Sequence, residues 1–177
     1  MELKQAIADR RSIRKFTEEE VSEELLLDII KQATLAPSGH NTQPWQFQII
    51  KGEVKDKIAD MLIDKMKDVP GNTSVHTASV MKEANALIAV YLADDSSYDN
   101  VIDILSIGGA IENMLLTITD YNLGAVWIAN TLHIREEIKE IVGNKNMISC
   151  VAIGYKNQEP HARPRKDMNE VLLETLK

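Results

Sequence analysis

A single cysteine among 177 residues excludes an internal disulfide and any metal site built on several thiolates. That residue, Cys150, lies in the apolar run MISCVAIGY, where a buried inert thiol is expected in place of a nucleophile. Aromatics supply only 5% of the chain, so the core has to rest on Leu, Ile, Val, Ala and Met. A cationic surplus is missing as well. The 27 acids outnumber 20 Lys and Arg, and the formal charge of -7 argues against a general nucleic-acid or membrane-surface binder. The longest unbroken apolar run, ALIAVYLA from Ala86 to Ala93, is too short to cross a bilayer. The opening MELKQAIADRR lacks the apolar core of a secretory signal, so a cytoplasmic protein is expected. No repeat, low-complexity tract or Gly/Ser-rich linker divides the chain, and residues 1–177 are read as a single domain.

Against this acidic background, two basic clusters stand out. RRSIRKF gathers Arg10, Arg11, Arg14 and Lys15 around Ser12 at the end of a short helical pattern. Guanidinium groups bind phosphate through forked hydrogen bonds, so this is a compact anion site, although a helix C-terminus alone accounts for one or two of the cations. Near the other end, HARPRKDM carries Arg163, Arg165 and Lys166 around Pro164. Proline keeps the backbone extended, which sends Arg163 and Arg165 to roughly the same side. On these residues alone a solvated tail is the simpler reading, and half of a shared anion site is the alternative.

The stretch APSGHNTQPWQF, from Ala36 to Phe47, is the third feature. An ordinary helix-to-strand connection needs a stop and a turn. This one also presents Ser38, Asn41, Thr42 and Gln43 as donors, beside His40 and the flat face of Trp45, a combination suited to a planar ligand with polar edges. The plainer alternative is a loop whose polar groups bond their own backbone.

The remaining pattern alternates helices and strands. Helices are expected over about Glu2–Arg10, from Ser22 as N-cap to Pro37, over about Lys55–Lys67, over about Val101–Asn122, and over about Arg135–Val142. Strands are expected at Trp45–Ile50, Ala86–Ala93, Ala125–Ala129 and Met147–Tyr155. Pro70, Gly71 and Asn72 break the chain before a loose polar stretch reaching Thr77, with His76 on the surface. Gly108, Gly109 and Ala110 in the longest helix would let another helix approach closely. No nucleophile, metal-ligand cluster or acid–base pair is apparent.

RRSIRKF, PSGHNTQPW, SIGGAIEN, NLGAVWIAN and RPRK follow one another in an order that resembles the FMN-dependent nitroreductase family over almost the whole chain. The resemblance implies an α+β fold, with a central, mostly antiparallel sheet flanked by helices, and an intertwined homodimer with FMN at the subunit interface. It further implies that Arg10, Arg11, Ser12 and Arg14 hold the phosphate, ribityl chain and flavin edge, and that Arg163 and Arg165 return to the phosphate. Pro37, Ser38, Gly39, Asn41 and, more weakly, Gln43 would come from the partner subunit. Trp127, Ile128 and Ala129 would face the ring near N5. The implied activity passes a hydride from NAD(P)H to a small acceptor, a nitro compound or quinone, by a ping-pong mechanism, with no catalytic side chain or metal. Two rivals stand beside it: a non-catalytic flavin-binding or storage protein, and dehalogenation or flavin fragmentation on the same scaffold. Ala129 and Asn130 replace two glycines common in the family, and Ser106 replaces a common acid.

Overall fold

The computed structural model describes residues 1–96, 100–143 and 145–176. Seven consecutive apolar residues, Ala86–Leu92, form a strand between two layers, and all seven are buried. This strand, β2, pairs with β1 (Trp45–Ile50) on one side and β4 (Asn146–Gly154) on the other. Strand β3 (Gly124–Ile128) follows β4 at the edge, giving the order β1-β2-β4-β3 with every neighbour antiparallel. The α+β architecture and the antiparallel sheet are those the sequence implies.

Alternation along β2 builds two cores. Leu87, Ala89 and Tyr91 face α3 (Gly52–Met66) and α4 (Ser74–Glu83), joined there by Ile58, Leu62 and Met81. Ile88, Val90 and Leu92 face α2 (Glu23–Ala33) and α5 (Val101–Asp120), joined by Leu26, Ile29, Ile111 and Met114. Ser22 caps α2 as expected, its Oγ accepting the Leu25 amide at 3.2 Å. The first helix, α1 (Leu3–Asp9), is short, and the last, α6 (Met168–Val171), is a single turn in the tail.

Three local expectations are corrected. The stretch to Thr77 is not loose, because α4 begins at Ser74, whose amide donates to Asn72 Oδ1 at 2.7 Å; Ala78 and Met81 bury the helix in the core despite its polar start. The region from Arg135 to Val142 is a chain of turns following a 3-10 turn at Asn130–Ile134. It still buries Ile134, Ile138 and Val142 at helical spacing, but its backbone mixes three- and four-residue bonds, so no α-helical ladder forms. Finally, α5 is long and apolar enough to cross a membrane by length and composition alone, which a count of unbroken apolar runs overlooks. It buries Ile107, Ala110, Ile111, Met114, Leu115 and Ile118 as a core helix of this domain.

Large apolar side chains remain outside both cores. Val101, Ile102 and Leu105 at the start of α5 are 65%, 56% and 70% exposed. Leu27 and Leu35, and Leu172, Leu173 and Leu176 of the tail, are exposed as well. The small residues of α5 divide their roles. Ala110 is buried within the chain and Gly109 approaches Ala36, whereas Gly108 has open space where a side chain would stand.

Candidate functional site

The basic segment leaves α1 as extended chain because two apolar residues in it, Ile13 and Phe16, are drawn into the sheet end. The Ile13 amide donates to Ala125 O at 2.8 Å, and the Thr17 amide to Tyr155 O at 2.9 Å. Gly124 and Gly154 are cross-strand partners, and they leave the room these side chains use. A Cβ on Gly124 would lie 2.6 Å from Ile13 Cγ2, and one on Gly154 would lie 2.9 Å from Phe16 Cδ1. With Ile13 and Phe16 pinned inward, the polar residues between and before them are turned toward the surface.

There they meet the tail. Arg10, Arg11, Ser12 and Arg14 line a cavity of about 480 Å³ together with Gln158, Pro160, His161, Arg163 and Arg165. The two basic clusters, some 150 residues apart, therefore line one cavity. Arg11 Nη1 donates to Ala8 O at 2.6 Å and to Arg10 O at 2.8 Å, closing the end of α1 while its other nitrogens stay available. Arg10 Nε lies 3.8 Å from Glu112 Oε1. Five arginines around one cavity repel one another, and Glu112 offsets only part of that, so an anion with several acceptor oxygens fits the donor set. His161 was legible in the sequence: in the extended HARPR it falls on the same side as Arg163 and Arg165.

Arg14 also borders a second cavity, of about 270 Å³. Buried Val80, Val126 and Ile128 form its floor. Trp127 stands at its side, 45% exposed, with Nε1 donating to Ser149 Oγ at 2.7 Å. Asn130 Nδ2 donates to Ser74 Oγ at 2.9 Å, and Thr77 Oγ1 to Thr73 O at 3.2 Å. Trp127 and Ile128 thus line this cavity, while Ala129 is exposed just beyond the strand and does not line it. Thr73, His76, Thr77 and Val80 were missed, because the polar start of α4 carries little helical signal.

The loop residues Pro37, Ser38, Gly39, Asn41 and Gln43 line neither cavity within the same chain. Their loop is partly held by its own bonds, with Ser38 Oγ accepting the Gln43 amide at 2.9 Å. His40, Asn41 and Gln43 nevertheless take positive φ angles of 50°, 58° and 49°, three non-glycine left-handed residues within four positions. Gly39 presses on α5, since a Cβ there would come within 2.4 Å of Ile102 Cγ2. The loop is therefore a braced turn on a fixed base, with the Asn41 and Thr42 amides donating to Ser38 O and Gly39 O at 3.0 Å each.

Burial shifts the titration of Cys150 and Tyr91, which lie elsewhere. Burial pushes the Cys150 thiol up to about 12, which fits the inert role expected for it. Burial also raises the Tyr91 phenol, whose OH donates to Gln48 Oε1 at 2.6 Å.

The sequence pattern of the Nitroreductase family matches residues 7–155. A protein of Archaeoglobus fulgidus, provisionally named NADH dehydrogenase/NAD(P)H nitroreductase, is 30% identical over 162 residues, covering 86% of this chain and 84% of its own. Iodotyrosine deiodinase of Hydra vulgaris is 25% identical over 197 residues, covering 93% of this chain and 69% of its own. Among solved structures, the FMN complex of a provisionally named nitroreductase from Desulfovibrio desulfuricans superposes with a TM-score of 0.82 at 29% identity, over 99% of this chain and 98% of that one. Family pattern, relatives and superposition agree with the fold: the chain belongs to the nitroreductase family.

Proposed function

We propose that this chain is an FMN-dependent oxidoreductase that passes reducing equivalents from NAD(P)H to a small acceptor, a nitro compound or quinone. One observation carries the reading: two arginine clusters from opposite ends of the chain meet in one cavity, and Arg14 joins that cavity to a second, apolar-floored one. A phosphate monoester attached to a planar ring has this shape and this polarity. Arg10, Ser12, Arg163 and Arg165 would hold the phosphate, with Arg11 beside them, and Arg14 would meet the ring edge. Trp127 and Ile128, with Ala129 just beyond, would border the ring where the strand ends.

Bound FMN would supply reversible hydride chemistry, and the protein supplies binding, orientation and electrostatics. Arg14, a cation at the junction, favours negative charge on the ring edge. Donor and acceptor using one cavity in turn give ping-pong kinetics. The name of the Archaeoglobus fulgidus relative supports NAD(P)H as donor.

The site is complete only in a homodimer on this reading. The exposed Val101, Ile102 and Leu105, and the apolar tail, supply a face for a second copy. The loop of residues 37–43, with Pro37, Ser38, Gly39, Asn41 and Gln43, would then cover the partner's flavin. We place the protein in the cytoplasm.

Dehalogenation is the second reading, favoured by the Hydra vulgaris relative. Against it, residues 51–86 form two helices packed on each other and on the sheet, with no extended strap to close on a substrate. Initial rates at varied NADH and 1,4-benzoquinone test the proposal. Parallel double-reciprocal lines are expected; intersecting lines would contradict the single shared cavity, and absence of turnover with either nicotinamide would favour a storage role.

A further inference from the structure

We infer that His76 is the residue that selects the acceptor, by donating a hydrogen bond to an oxygen on the edge of a planar acceptor such as a quinone or nitroarene. The inference rests on the proposed flavin site and concerns the solvent side of its second cavity. Most polar groups lining that cavity have internal partners. The Trp127 N–H is held by Ser149, the Asn130 amide by Ser74, and the Thr77 hydroxyl by the Thr73 carbonyl. The His76 imidazole makes no hydrogen bond among the described residues, and it is exposed. Along α4, Val80 lies one turn further on the same face and is 3% exposed, so the cavity runs from a closed floor at Val80 to a mouth at His76. A ring seated on the floor leaves the mouth for a second planar molecule, and that molecule meets His76.

Among the described residues no carboxylate lines this cavity, and Arg14 is the arginine on its wall. With His76 and Arg14 as donors at its edge, the cavity suits acceptors that present oxygen lone pairs. His40, the histidine singled out in the sequence, lies on the loop and borders neither cavity of its own chain. In the overall reaction, 1,4-benzoquinone takes the hydride of NAD(P)H and one proton from solvent, giving hydroquinone and NAD(P)⁺.

The test compares wild type, His76→Ala and His76→Gln, each loaded with FMN, using 1,4-benzoquinone and ferricyanide as acceptors. Ferricyanide accepts electrons without docking a carbonyl edge. His76→Ala is expected to raise the KM for benzoquinone about 3- to 10-fold, the worth of one net hydrogen bond. His76→Gln, which keeps an N–H donor, should recover much of that loss. Neither variant should change the ferricyanide KM or the FMN dissociation constant, read by flavin fluorescence, by more than about twofold. An unchanged benzoquinone KM in His76→Ala, with FMN bound normally, overturns the assignment of His76 alone. Equal losses for both acceptors, or weakened FMN binding, make His76 a structural residue and also overturn it. A wild-type protein that binds no FMN removes the flavin reading itself, and the inference with it.

Discussion

Ile13 occupies the space where Gly124 has no side chain, its Cγ2 standing 2.6 Å from the position a Cβ would take. This contact orients the segment that carries Ser12 and Arg14 into the two cavities. Gly124→Ala must displace Ile13 and, at 3.0 Å, the Lys156 Cβ. We expect a loss of about 1–3 kcal/mol of stability and weaker FMN binding, measured by thermal melts and fluorescence titration. Ile13→Ala removes the clashing methyl, so the double variant should lose less than the sum of the single ones. Strict additivity would mean that the two positions do not act through this contact.

On the proposed reading, Arg10→Ala and Arg163→Ala would each remove a charge-assisted bond to the FMN phosphate. Each should weaken FMN binding by about 1.5–3 kcal/mol, roughly 10- to 100-fold. Riboflavin has no phosphate, and its affinity should hardly change in either variant. Equal losses for FMN and riboflavin would show that the arginines support the fold instead.

The second copy can be tested on α5. Leu105 is 70% exposed beside Val101 and Ile102, and Gly108 faces open space one turn further along. Leu105→Lys should leave the folded chain intact while shifting sedimentation from dimer to monomer and reducing bound flavin. Gly109→Leu is a poorer probe of the dimer than its place in the sequence suggests, because a Cβ at Gly109 would already stand 3.8 Å from Ala36 Cβ of its own chain. A wild-type monomer that binds FMN fully would contradict the shared site.

Much of this arrangement was legible in the residues. The unbroken apolar run of β2, the Ser22 cap and the length of α5 follow from local chemistry, and they came through with boundaries shifted by a residue or two. The meeting of Arg10 with Arg163 was not local, and only the order of motifs pointed to it. The start of α4 was hidden because its inner face rests on small and scattered residues, Ala78 and Met81, among polar ones. His76 was therefore placed on a loop surface, away from the cavity it borders. Ile138 and Val142 keep helical spacing without a helical ladder, a distinction that apolar periodicity does not carry.

Cys150 gives a pH signature separate from function. Its folded pKa, pushed up to about 12 by burial, exceeds the ordinary thiol value of 9.0. The neutral thiol is thus favoured in the folded state, and its contribution is full below pH 9 and lost as pH rises toward 12. Cys150→Ala should flatten the fall of stability over that window, read by urea unfolding at several pH values. The native thiol should also stay silent to a thiol reagent at pH 8 and react once the chain is unfolded.

The central claim is that two arginine clusters and one aromatic-walled cavity hold a single FMN per chain. Titration of flavin-free protein with FMN, FAD and riboflavin, followed by flavin fluorescence, addresses it directly. The account expects saturation at one FMN per chain and binding of riboflavin weaker by tenfold or more. It also expects FAD to bind poorly, because its adenylate half crowds the cavity around Arg10, Arg163 and Arg165. Equal affinity for FMN and riboflavin, preference for FAD, or no saturable binding would contradict it.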